Sequence, residues 1–155
     1  MGCYYKDGDF HRYFKENMND LGLPVPEGIF DSYTTATSNL TLLFASLKTL
    51  GSGATMGELV GATVGFEKLM VAGAVGASYY LGAALGSVAV ATGRSLSCGT
   101  RISDLFALVE EHDMEFSNWD IFFQANPGII QPGHPSRRML AVRGIHQPQS
   151  FEYSV

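Results

Sequence analysis

The stretch at 51–65 reads GSGATMGELVGATVG and sets glycine at 53, 57, 61 and 65, a strict interval of four. Glycine inside a helix costs about 0.8–1 kcal/mol against alanine, so the glycines from Gly53 to Gly86 together oppose helix formation by roughly 6–8 kcal/mol. Some contact has to offset that. Residues four apart fall nearly in line on one helix face, so Gly53, Gly57, Gly61 and Gly65 would form a groove without side chains that a second backbone can enter. Gly82 and Gly86 repeat the interval, Ala89 and Gly93 extend it, and Gly73 and Gly76 fall near the turn between the two segments. The pattern predicts a glycine-rich helical hairpin over 51–93.

Such a hairpin has two settings. In hydrocarbon, small residues spaced by four are a main means of helix association, because lipid supplies no hydrophobic force between helices. In water the same face makes a tight crossing inside a soluble bundle. A strand reading also exists, with Gly53, Thr55, Gly57, Leu59, Gly61, Thr63 and Gly65 on one side, but over 51–93 Ala, Met and Leu outnumber β-branched residues. Glu58 favours a functional use of the first arm, since an ionisable group in an apolar segment needs a partner or a water-filled lumen. It is the candidate pore-facing charge.

Charge is sparse, at 16% of residues, and lies toward the ends. Leu69 to Gly93 carries no charged residue and as one helix would be roughly 37 Å long, against about 30 Å of bilayer hydrocarbon. Glu67 and Lys68 bound it on one side and Arg94 on the other, while Tyr79 and Tyr80 sit in its middle instead of at an interfacial belt. Amphipathic helices are expected over 9–21, where Phe10, Tyr13, Phe14, Asn17, Met18 and Leu21 share a face, and over 29–50, with Leu40, Leu43, Phe44, Leu47 and Leu50 in a stripe. Further helices are expected over 103–114, capped by Ser103, and over 117–126, opened by Ser117. From Pro127 the prolines and glycines predict an irregular tail to 155. The fold class expected is all-α: a compact helical bundle of one domain, 1–155, around the hairpin.

The chemistry that these residues exclude is as informative. A net charge of −5 with scattered Lys and Arg offers no basic face for nucleic acid. GSGATMG lacks the dinucleotide fingerprint, with Met56 where glycine is needed, and no phosphate-loop Lys follows. Cys3 and Cys98 make neither a disulfide framework nor a metal spacing. Glu110, Glu111, His112, Asp113 and Glu115 crowd together but read as a solvated acidic face, and Trp119, Phe122 and Phe123 read as core. No cofactor and no metal are expected. Cys98 with His112 is the one nucleophile and base pair on offer, the basis of an alternative as a cell-wall-acting enzyme, though its surroundings show no signature. The start of the chain has no apolar run behind a basic leader, so secretion without a cleaved signal peptide is expected.

The glycine-zipper segment GSGATMGELVGATVGFEKLMVAGAVGASYYLGAALGSVAVATG, in a small chain otherwise charged, resembles the small pore-forming antibacterial toxins of type VI secretion systems. The resemblance implies a chain soluble in the producer cytoplasm and carried by the Hcp tube protein to the target-cell periplasm. There it would insert in the inner membrane, self-associate into an ion-conducting pore and dissipate the proton motive force. A cognate immunity protein would guard the producer. Gly53, Gly57, Gly61, Gly65, Gly82 and Gly86 match the zipper positions, and bulky residues at Gly57 or Gly61 would abolish killing. A holin-like small membrane protein would share the apolar centre.

Overall fold

The computed structural model describes residues 9–51, 53–96, 102–112, 114, 119–131, 137 and 140–146. The fold is all-α, with no strand among those residues. Helix α1, Phe10–Asp20, turns Phe10, Phe14, Asn17 and Met18 inward at helical spacing. Phe14 stacks on Phe30 with ring centroids 4.8 Å apart, which fixes the connector that follows against α1. Helix α2, Tyr33–Leu50, starts four residues later than expected. Asp31 Oδ1 accepts from Gly28 N at 3.0 Å to make a turn, and Ser32 Oγ caps the helix by accepting from Thr35 N at 3.1 Å. Gly51, with φ +101°, ends it.

Next come a short helix α3, Met56–Gly61, and a 3-10 turn, Glu67–Ala72. Helix α4, Ala77–Leu96, runs through the middle of the protein with α1, α2, α5 (Ile102–His112), α6 (Trp119–Ala125) and α7 (Leu140–His146) packed on it. Every residue from Ala77 to Ala91 is buried. The amphipathic helices supply the covering side chains: Phe14 and Met18 from α1, Leu40, Leu43, Phe44 and Leu47 from α2, Leu105 and Val109 from α5, Phe122 and Phe123 from α6. Helix α5 begins one residue earlier than expected and stops at His112, and α6 occupies the centre of the expected 117–126.

Two expectations need correcting. The hairpin over 51–93 is not a pair of long arms: its first arm is the six residues of α3, followed by a 3-10 turn, and only α4 is long. Leu69–Gly93 is therefore not one continuous helix. At 20 residues α4 is about 30 Å long, but Ser78, Tyr79, Tyr80, Ser87 and Thr92 dilute its apolar character. Among the described residues no helix is long and apolar enough to cross a membrane. The tail is not wholly irregular either, because Pro127–Ile129 forms a 3-10 turn and Leu140–His146 forms α7.

Candidate functional site: the glycine positions and the buried face of α4

Local signals break the first glycine series into unrelated roles. Gly53 lies in the turn ahead of α3. Thr55 and Glu58 form a capping box: Thr55 Oγ1 accepts from Glu58 N at 3.2 Å, and Glu58 Oε1 accepts from Thr55 N at 2.9 Å. The exposed Glu58 carboxylate, expected to face a pore, is thus turned back onto the Thr55 N-cap of α3 in this fold. Gly57 alone makes the close backbone approach that the spacing predicted. Its N–H donates to Gly73 O at 3.0 Å, and a Cβ there would lie 3.3 Å from that same oxygen. Gly61 ends α3 with no atom within 4 Å of where its Cβ would stand. Gly65 has φ +98° and makes the bend that precedes the 3-10 turn, a backbone shape that other L residues rarely adopt.

What the glycines around 57 and 73 close is a lobe. Met56 N donates to Val75 O at 2.8 Å and Ala77 N to Ala54 O at 2.8 Å, so with the Gly57–Gly73 bond residues 54–57 pair antiparallel with 73–77. Thr55 and Gly76 form the isolated bridge at its base. The intervening chain, α3 and the 3-10 turn, is thereby tied at its root to the first turn of α4 and buries Met56, Leu59, Val60, Phe66, Leu69 and Ala72 in the core. Gly76 N also donates to Gly144 O at 3.2 Å, and Gly144 presses on Tyr79 and Val75, which seats α7 over the same turn.

The second glycine series does serve close packing, but not against the first. A Cβ on Gly82 would run into the Phe122 ring, reaching Cε2 and lying 2.9 Å from Cζ, and one on Gly86 would run into Ile129 Cγ2. The partners of Gly82 and Gly86 are α6 and the 3-10 turn behind it. Phe122 is held from its other sides by Tyr79, centroids 5.3 Å apart and edge-on, and by Phe123 at 5.2 Å.

On the face of α4 turned from these glycines lie Tyr80 and Ser87, seven apart and therefore in line. Tyr80 donates its hydroxyl to Pro24 O at 2.7 Å. Ser87 Oγ accepts from Asn17 Nδ2 at 2.9 Å, and the same amide donates to Ile129 O at 2.8 Å. Asn17 Oδ1 in turn accepts from Arg137 Nη2 at 2.7 Å, and Arg137 Nη1 donates to Gly128 O at 2.7 Å. One connected network, buried apart from the Asp20 carboxylate 3.4 Å from Arg137, therefore pins α1, α4 and the chain after α6 together. Thr92 Oγ1, further along α4, is buried with no hydrogen-bond partner. Sequence reasoning placed Asn17 on the inward face of α1 but missed Arg137, which no local pattern marks.

Of the pair proposed for nucleophilic chemistry, Cys98 lies outside the described residues. His112 closes α5 with Nε2 2.9 Å from the Tyr33 hydroxyl, the rings edge-on at 5.9 Å. Burial first, and Glu111 second, raise the Tyr33 phenol, so it stays protonated and ties α5 to the start of α2. Asp113 and Glu115 lie outside the described residues, and among the described residues no three His, Cys, Asp or Glu side chains gather to hold a metal ion. The chain matches no protein-family description, no curated protein and no solved structure.

Proposed function

We propose that this protein is an antibacterial toxin that permeabilises the inner membrane of a target cell, with α4 as the element that enters lipid. The observation that carries the reading is the burial of α4 on all sides from Ala77 to Ala91 beneath amphipathic helices. A helix enclosed in this way serves as the core of the bundle and, once uncovered, exposes a mainly apolar surface that lipid can take in place of the lost cover. In the folded bundle α4 does not meet the combined length and apolarity of a span. Unwinding the 3-10 turn and winding Leu69–Gly76 onto α4 gives an uncharged helix of roughly 37 Å, bounded by Glu67 and Lys68 at one interface and Arg94 at the other.

The polar groups of α4 support the same reading. Tyr80 and Ser87 are satisfied in the bundle by Pro24 and Asn17, partners that an inserted helix leaves behind. In hydrocarbon each needs a new partner, which a water-filled lumen or a neighbouring copy supplies. Gly82, Gly86, Ala89 and Gly93, on the opposite side, release Phe122 and Ile129 and become available to a second helix as a small-residue face. Delivery inside the Hcp tube and protection of the producer by an immunity protein belong to the same proposal through the resemblance of the zipper segment. Purified protein is expected to release dye from phospholipid vesicles in proportion to the protein-to-lipid ratio. Vesicles that stay tight at high ratios would remove the pore from the account.

A further inference from the structure

Helix α6 and the 3-10 turn behind it cover the glycines of α4 with few side chains. Around a Cβ placed on Gly82 the three nearest atoms all belong to Phe122, and around one on Gly86 they belong to Ile129 and Ile130. A second helix packed on Gly82 and Gly86 needs the space that these side chains fill, so it and the covering segment exclude each other. The cover is also short: α6 has 7 residues and the turn 3, too few to keep helical shape without tertiary contacts.

Two polar ties hold the segment in place, Asn17 Nδ2 donating to Ile129 O at 2.8 Å and Arg137 Nη1 to Gly128 O at 2.7 Å. Beside them lies a flaw. Asn126 is 3% exposed and donates Nδ2 to Phe122 O at 2.9 Å, but its Oδ1 is buried without a hydrogen-bond partner. The crevice that Asn126 lines with Gly128, Ile129 and Arg137 is too tight for a water molecule, so this carbonyl gains a partner only when the segment opens. We propose that α6 and the turn Pro127–Ile129 form an autoinhibitory strap, which keeps α4 from pairing with a second copy of itself until the segment lets go. The inference rests on the pore reading and adds the contact that restrains it.

Variants of the intact chain test it, by dye release from vesicles of phosphatidylethanolamine and phosphatidylglycerol and by chemical cross-linking of the same samples. A Cβ on Gly86 lies 3.5 Å from Ile129 Cβ, within the span of a disulfide. G86C/I129C, with Cys3 and Cys98 replaced by serine, can therefore be pinned by oxidation and freed by reduction. The oxidised form is expected to give no cross-linked dimers and to leak at least about tenfold more slowly than the same protein reduced. I129A opens the Gly86 side, whereas L40A truncates a buried side chain of α2. Compared at equal distances below their thermal midpoints, I129A is expected to cross-link and leak about tenfold faster than L40A. Equal rates for those two, or an oxidised form that leaks as the reduced one does, would overturn the strap. Vesicles that stay tight with the parent and every variant would end the pore. If I129A copies then still cross-link where the parent does not, the strap stands as the cover of a self-association face, and without that cross-linking it falls too.

Discussion

R137M is expected to lower the unfolding free energy by about 2–6 kcal/mol, since it strands two buried acceptors, Asn17 Oδ1 and Gly128 O, at roughly 1–3 kcal/mol each. Arg137 is 6% exposed and both acceptors lie 2.7 Å from its guanidinium, so water cannot replace it without opening the bundle. The ion pair with Asp20 adds little, because the Asp20 side chain is 62% exposed and its charge is well screened. D20N should therefore shift stability by less than about 1 kcal/mol. Chemical denaturation at constant m-value reads both changes. Equal effects of R137M and D20N would mean that the surface pair, not the buried network, holds this corner together.

The second large effect sets two glycines against each other. Alanine at either Gly82 or Gly61 gains helix propensity of up to about 1 kcal/mol. At Gly82 the new Cβ meets the ring of Phe122, which Tyr79 and Phe123 hold in place, and overpacking of this kind costs about 1–3 kcal/mol. A net loss is expected for G82A, and a loss of about 3 kcal/mol or more for G82L. At Gly61 nothing lies within 4 Å, so G61A should stabilise by about 0.4–1 kcal/mol. Adding F122L to G82A should recover part of the loss, since the two side chains compete for one volume. Thermal or denaturant midpoints of the set decide the matter, and G82A more stable than the parent would refute the packing described for α4.

The contrast between those glycines shows how far the sequence could be read. The inward faces of α1 and α2 were legible because Phe10, Phe14 and Met18, and Leu40, Leu43, Phe44 and Leu47, recur at helical spacing and are buried as that spacing requires. The four-spaced glycines misled because spacing argues for a common face only if one helix carries all of them. Here Gly53 precedes α3, Gly57 closes the root of a lobe, Gly61 ends α3 and Gly65 sits beyond it with positive φ. The Thr55-x-x-Glu58 capping box was present in the sequence as a start signal at 56 and would have shortened the first arm. Gly82 and Gly86 were readable as a small-residue face, but their partners Phe122 and Ile129 lie in distant segments that no local pattern connects to them. For the same reason the Asn17–Arg137 contact was invisible. Helix α7 was hidden by the surrounding prolines and by Gly144, whose missing side chain is what lets it lie against Tyr79.

The account turns on α4 leaving its sheath, and amide hydrogen exchange of the whole chain with and without leaking vesicles measures that directly. Protection over α1, α2 and α5 is predicted to fall when vesicles are added, while 77–93 stays protected and protection spreads back over 69–76 as the 3-10 turn joins the helix. An exchange pattern that vesicles leave unchanged would contradict it.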